Sequence, residues 1–210
     1  MTLTLLTVFM GSMLAYREKG LKKRLAYSTV SQVSYILFGL SLLQPQAFSG
    51  ALLHVIFHAV IKSCLFLSAG AIIFQTGKTR VDELRGIGKE MPVTIWCYTL
   101  ASAALIGIPP ASGFISKWYL ATGSLDSGIP VFSWLGPVVL LLSALLTAGY
   151  LLTITFHGFL PGEEWEQGEK KEPTLNMLIP LCILGLLAVG LGVVPGVLTD
   201  AVSRIAAGVL

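Results

Sequence analysis

Three ionisable side chains stand at i, i+4 and i+8 inside an apolar run. His54, His58 and Lys62 lie within Ala47–Gln75, which reads A-F-S-G-A-L-L-H-V-I-F-H-A-V-I-K-S-C-L-F-L-S-A-G-A-I-I-F-Q. On a helix this spacing puts all three on one face, drifting slowly around the axis. The run exceeds the about 20 apolar residues needed to cross a bilayer, so the stripe falls at membrane depth. A charged group there costs about 2.5–3.5 kcal/mol on insertion scales, and a repeated cost on one stripe points to a buried polar path through a helical bundle. Histidine titrates near neutral pH, and desolvation makes a lysine give up its proton more readily. The chemistry these residue types offer together is proton transfer between neighbours. The bland alternative is packing, with His54 donating to a backbone carbonyl and Lys62 snorkelling to an interface. Snorkelling needs a helix end, and Lys62 is far from both ends of the run.

A second candidate lies at Ile106–Ser116, I-G-I-P-P-A-S-G-F-I-S. Pro109 and Pro110 lack the N–H groups that would bond the carbonyls of Leu105 and Ile106. Gly107 and Gly113 loosen the two sides. In lipid the freed carbonyls need partners, so the break is expected to be buried in protein or to line a wet cavity. Lys117 follows directly, and a broken helix beside an ionisable residue is the usual marker of an ion site. The alternative is a simple kink, with Lys117 snorkelling beside Trp118 and Tyr119. Two weaker stripes add a secondary polar axis. Ser28, Ser31, Gln32 and Tyr35 fall at i, i+3, i+4, i+7, and Thr147, Tyr150 and His157 share a face at spacings of three and seven. Taken singly, each residue of the first stripe reads as interhelical hydrogen bonding.

These candidates need helices to hold them. Of 210 residues, 54% are hydrophobic and 12% charged, against about 25% charged in a soluble domain. The chain therefore reads as an all-α polytopic membrane protein forming a single transmembrane domain over 1–210. A net charge of +3 is too small and too evenly spread to argue for a nucleic-acid partner, and none is expected. Cys64, Cys97 and Cys182 sit singly in apolar runs and read as small buried hydrophobes, with no disulfide framework. No metal ligands, phosphate-binding glycine loop or nucleophile elbow are present, so no catalytic residue, metal or cofactor is expected. The apolar start Leu3–Tyr16 lacks a basic n-region and a cleavage site, which rejects a signal peptide.

Six spans are expected, at about 2–16, 25–43, 47–75, 92–122 (broken at Pro109–Pro110), 131–160 and 174–194. A short interfacial helix follows Pro195. The third is nearly 30 residues long, so it must tilt, kink or protrude. The loops Arg17–Arg24 and Thr76–Met91 carry the basic clusters and read as cytoplasmic. The loop Pro161–Pro173 is acidic (Glu163, Glu164, Glu166, Glu169 and Glu172), which weighs little in topology. Alternation then places both termini outside.

Four strings together carry a resemblance: L-K-K-R-L-A-Y-S-T-V-S-Q-V-S-Y-I, H-V-I-F-H-A-V-I-K, E-L-R-G-I-G-K and I-G-I-P-P-A-S-G-F-I-S-K. In order and spacing they resemble the antiporter-like proton-translocating membrane subunits of respiratory complex I (NADH:quinone oxidoreductase), membrane-bound hydrogenases and Mrp-type antiporters. The likeness covers Leu21–Leu120; the last two spans match only in hydropathy. It implies fourteen core helices in two inverted five-helix repeats, each with one broken helix. The chain would correspond to the ninth to fourteenth helices, a second repeat entered part-way through its first helix. It implies that Lys22 opens the tenth helix, that His54, His58 and Lys62 form the central polar axis, and that Lys117 serves the outer half-channel. One departure is Gly20, where many members have an acid; Glu18 is then the nearest counter-ion for Lys22. Another is Arg24, at a position often apolar.

The resemblance implies a subunit, or fragment, that moves protons along a buried Lys/His axis while partner subunits transfer electrons. Its expected partners are other membrane subunits, a polypeptide carrying the first repeat, and the lipid of a bacterial or archaeal inner membrane. An Mrp-type cation/proton antiporter subunit and a non-transporting remnant remain as alternatives. The expected spans contain no Asp or Glu, so the chain alone is not expected to transport. A reporter fused after Gly88 should be active only if it requires the cytoplasm; activity of an extracytoplasmic reporter there would refute the orientation.

Overall fold

A computed structural model describes residues 1–161 and 170–210. The acidic residues Glu163, Glu164, Glu166 and Glu169 lie outside the described residues. The described residues are almost wholly helical: α1 (Thr2–Arg17), α2 (Leu21–Ser41), α3 (Pro45–Thr76), α4 (Ile87–Glu90), α5 (Pro92–Ile106), α6 (Ser112–Leu125), α7 (Phe132–Phe159), α8 (Leu175–Val193) and α9 (Gly196–Val209). A short 3₁₀ helix, Val81–Leu84, precedes α4. Of these, α3, α7 and α8 are long and apolar enough to cross a membrane by themselves, and α5 is a shorter apolar helix.

Local chemistry sets the ends. Gln44 caps α3, its Oε1 accepting from the Ala47 N–H at 2.8 Å. Pro45 then sits in the first turn, where a missing N–H costs nothing. At the far end Gly77 takes φ +71°, the left-handed conformation that stops a helix at little steric cost. The 32 residues between span ~48 Å, more than the hydrocarbon thickness. Helix α2 begins at Leu21, earlier than the expected 25. The Leu21 N–H donates to Thr79 O and the Val81 N–H to Lys19 O, both at 2.9 Å, so the loop after α3 pins the start of α2.

Helix α3 is the axis of the bundle, packing against α2, α5, α6, α8 and α9. Its buried face supplies Leu53, Phe57, Ile61, Leu65 and Ile72 to the larger hydrophobic core, where they meet Tyr98 of α5 and Tyr150 of α7. A second core joins Leu5, Tyr35, Phe38, Ala47, Leu120 and Leu140. Helix α9 lies against α3 through Val202 and Ala206. Its other face is exposed and carries Asp200 and Arg204.

The segment ahead of α8 is tied to the start of α5. Glu172 accepts from the Val93 N–H at 2.6 Å and from Thr94 Oγ1 at 2.7 Å, capping α5 from another part of the chain. Beside it the Lys171 N–H donates to Glu90 O at 2.9 Å, and Lys171 Nζ lies 3.7 Å from Glu90 Oε2.

Helices α3 and α6 approach backbone to backbone. A Cβ placed on Gly123 would fall on the Ala47 backbone. Small residues at such crossings replace hydrophobic contrast as the source of close packing in lipid. Gly123→Val should therefore lower unfolding stability in detergent by about 1–3 kcal/mol. Gly190→Val, where a side chain meets open space, should not.

Candidate functional site: a polar seam through the bundle

Lys62 is 6% exposed. Its Nζ donates to Leu25 O at 2.8 Å and to Ser28 Oγ at 2.6 Å, both on α2. The Phe66 ring, one turn along α3, lies 5.8 Å from the same nitrogen. Ser28 Oγ also accepts from Tyr150 OH at 2.8 Å, and Tyr150 reaches Thr147 Oγ1 at 3.3 Å. The lysine thus ends a chain of hydroxyls contributed by α2 and α7.

His58 is half-buried, and its ring stacks on that of His54 at 6.0 Å. Its Nε2 has no hydrogen-bond partner among the described residues. His54 is 2% exposed and stacks on Tyr35 at 5.6 Å on its other side. Its Nε2 lies 3.1 Å from Gln32 Oε1 and its Nδ1 2.8 Å from Ser116 Oγ. With the amide oxygen turned to it, Nε2 is the donor, which leaves the Gln32 amide nitrogen buried without a partner among the described residues. Ser116 has one proton to donate, and Gly113 O lies 3.2 Å from its oxygen. With His54 neutral, Ser116 donates to Nδ1. With His54 protonated, Nδ1–H donates to Ser116, whose own proton turns to Gly113 O. Both arrangements fit the same heavy-atom positions.

Lys117 closes the line. Its Nζ donates to Leu105 O at 2.6 Å and Ile106 O at 3.0 Å, the two carbonyls that Pro109 and Pro110 leave without helical donors. The ammonium also stands 5.4 Å over the Tyr35 ring. It lines a cleft of about 360 Å³ with Gly107, Phe114, Trp118 and Pro137. Lys117 folds back onto the break, while Trp118 beside it is exposed. Gly107 takes φ +94°, and a Cβ on Gly113 would strike Ala104 O. Pro109 and Pro110 themselves are exposed, so what is shielded is the pair of carbonyls and not the turn. His58 stands one turn from Lys62 and one turn from His54 on α3, and His54 and Lys117 both lie against the Tyr35 ring. Four ionisable groups therefore form one line from α2 to the α5–α6 break.

Other expected residues lie elsewhere. Lys22 is exposed on the surface at the start of α2. The buried cation there is Arg24, 7% exposed. Its Nε donates to Glu18 O at 2.8 Å and its Nη1 to Tyr150 O at 3.0 Å. Glu18 does not pair with Lys22: its carboxylate accepts the Gly20 N–H at 2.8 Å. That bond, helped by the charges of Lys23 and Arg24, holds its pKa below the ordinary glutamate value. His157 lies at the end of α7, 3.3 Å from Val81 O, and steadies the loop after α3. Sequence reasoning missed Ser116 as the partner of His54. It also missed a hydroxyl cluster at the α1–α2–α7 seam. There Ser12 Oγ lies 2.8 Å from Ser31 Oγ and 2.6 Å from Ser143 Oγ. Single serines in apolar runs were the only signal, and they carry no pairing information.

Residues 1–143 match the family described as NADH:quinone oxidoreductase/Mrp antiporter, TM. The chain is 38% identical over 197 residues to NADH-quinone oxidoreductase subunit N of Desulforudis audaxviator (strain MP104C), covering 88% of this chain and 38% of that protein. It is 34% identical over 193 residues to a Na(+)/H(+) antiporter subunit of Bacillus subtilis (strain 168), covering 90% of this chain and 38% of that one. The fold aligns with a chain of the Mrp complex from Dietzia sp. DQ12-45-1b at a TM-score of 0.87 and 24% identity, over 98% of this chain and 46% of that chain. The chain thus spans well under half the length of these curated relatives.

Removing the Lys117 ammonium leaves two shielded carbonyls without it. Lys117→Met should lower unfolding stability by about 1–3 kcal/mol for each carbonyl, while Lys117→Arg, which keeps cationic donors, should recover most of the loss. Thermal unfolding of the purified variants in detergent checks both.

Proposed function

The chain belongs to the NADH:quinone oxidoreductase/Mrp antiporter transmembrane family, and on that footing we propose that it moves protons along the line Lys62–His58–His54–Lys117. It does so as a membrane subunit of a complex I-like oxidoreductase or a related membrane-bound hydrogenase. The observation that carries this reading is the continuity of the line: Lys62 and His58 stand one turn apart on α3, the His58 and His54 rings stack at 6.0 Å, and His54 and Lys117 meet the same Tyr35 ring. Hydroxyl or carbonyl oxygens hold Lys62, His54 and Lys117. A proton leaving Lys62 is passed through the stacked histidines, and Ser116 carries the change in His54 onto α6. Lys117 receives it beside a cleft. Electron transfer belongs to partner subunits. Lys22 and its neighbours form a basic surface facing the cytoplasm, with the bundle in a bacterial or archaeal inner membrane and both termini outside.

Exchange of sodium for protons, as in Mrp-type antiporters, is the second reading, favoured by the 34% identity to an Na(+)/H(+) antiporter subunit. Sodium prefers hard oxygen ligands, carboxylates above all. The described spanning helices contain no Asp or Glu, which favours protons. The same lack means that the cations repel one another once charged. A companion repeat, on this polypeptide or another, supplies the carboxylate that offsets them.

Lys62→Ala in the assembled complex should cut proton pumping strongly while insertion is unchanged; pumping at the wild-type rate would end this reading. Pro109→Ala with Pro110→Ala should also impair pumping, because the Leu105 and Ile106 carbonyls would regain backbone donors and release Lys117. Sodium-dependent pumping that survives a protonophore would favour the antiporter reading.

A further inference from the structure

The loop after α3 lies beside the loop before α2 and is bonded to it. The Leu21 N–H donates to Thr79 O and the Val81 N–H to Lys19 O, both at 2.9 Å. This pairing gathers basic side chains from both segments around a cleft of about 380 Å³, lined by Lys19, Lys22, Lys23 and Arg80 with Glu18 and Ile73. Arg80 is held by Asp82, its Nη2 3.0 Å from Oδ2, and the Glu18 carboxylate accepts the Gly20 N–H. Lys19, Lys22 and Lys23 are exposed and form no ion pair among the described residues. The cleft therefore holds three unpaired ammonium groups against one carboxylate. The first turn of α2 also lines it, so the positive pole of that helix adds to the field.

Further along α2 the junction with α3 turns apolar. A groove of about 550 Å³ runs there, lined by Ala26, Val30, Val33 and Phe66 with Thr29 and Ser34. Both hydroxyls are already bonded: Thr29 Oγ1 donates to Leu25 O at 3.0 Å and Ser34 Oγ to Val30 O at 2.9 Å. The groove asks no hydrogen bond of an occupant. Cleft and groove share one strip. Lys22, Ala26, Val30 and Val33 follow at steps of four, four and three on α2, and Ile73 and Phe66 are two turns apart on α3. From Lys22 to Val33 is ~17 Å at the helical rise, the depth of one leaflet of a ~30 Å hydrocarbon core.

We propose that this strip binds one anionic phospholipid from the leaflet at the basic end of the bundle. Its phosphate sits among Lys19, Lys22 and Lys23, and one acyl chain lies along Ala26, Val30, Val33 and Phe66. Basic pockets between spanning helices attract anionic headgroups, and each lysine near the surface adds to the attraction. Lipid tails are as apolar as the groove walls, so burial of hydrocarbon alone gives no preference for one lipid over another. The headgroup sets residence, and the groove sets where the tail goes. A soluble anion fits the cleft but leaves the groove to passing lipid; a zwitterionic lipid fits the groove but brings no net charge to the lysines. The proposal does not rest on proton movement and needs only that the bundle lies in a bilayer.

The test is photo-crosslinking of the full-length protein, in its assembled complex, reconstituted in bilayers. The probes are phosphatidylglycerol and phosphatidylcholine, each carrying a diazirine midway along one acyl chain, and adducts are located by peptide mass spectrometry. Phosphatidylglycerol should label residues 26–33 and Phe66 about tenfold more than phosphatidylcholine does. Leu186, on the exposed face of α8, should label equally with both and reports ordinary contact with the bilayer. Lys19→Gln with Lys22→Gln and Lys23→Gln should abolish the excess, and raised salt should lower it, because exposed charges are screened. Val30→Trp, which fills the groove and leaves the lysines in place, should cut labelling of Phe66 several-fold. Equal labelling of the groove by both lipids would overturn the proposal and leave only unselective bilayer contact. A silent groove beside a labelled Leu186 would overturn it in favour of a protein segment covering this face. An excess that survives loss of the three lysines would also overturn it. The comparison of the two lipids on the unaltered protein stands whether or not the variants assemble.

Discussion

A cation at membrane depth needs its partners within the protein, and much of this structure follows from how that demand is met without acids. The described spanning helices hold cations but no carboxylates, so oxygen dipoles take their place. Lys117 rests on Leu105 O and Ile106 O, Lys62 on Leu25 O and Ser28 Oγ, Arg24 on Glu18 O and Tyr150 O. A carbonyl has two lone pairs, so those inside α2 and α7 can take a cation in addition to a helical N–H. Those at the end of α5 are different. They lie at the negative pole of a helix dipole and have lost their helical donors, which makes that end the better cation site.

The stacked rings of Tyr35, His54 and His58 serve a related purpose. Flat aromatic faces let three side chains from two helices occupy a narrow seam while leaving the ring nitrogens free at their edges. His54 uses both nitrogens, one toward α2 and one toward α6. A change of one proton on that ring is therefore felt on two neighbouring helices, and through Ser116 on the backbone of the second half of the broken helix.

Much of this was legible in the sequence, and the division has a physical basis. Helical period alone put His54, His58 and Lys62 on one face, and the missing N–H groups of two prolines identified Leu105 and Ile106 as the carbonyls in need. The family resemblance, carried by four ordered strings, agreed with the family match. What period cannot give is the element opposite. The choice of Arg24 over Lys22 as the buried cation depends on where the Thr79–Val81 loop docks and sets the start of α2. The partnership of Ser12, Ser31 and Ser143 depends on three helices meeting in one register. Ser116 lay in full view one residue before Lys117, but nothing local marks it as the partner of a histidine 62 positions earlier.

The cap that Lys117 places on the end of α5 also makes the break a mechanical element. Bonds from an ammonium to a carbonyl are roughly twice as strong as those from a neutral amine. The grip between the two half-helices thus depends on the charge of the one side chain that bridges them. Loss of that charge would weaken both bonds that hold α6 to the end of α5.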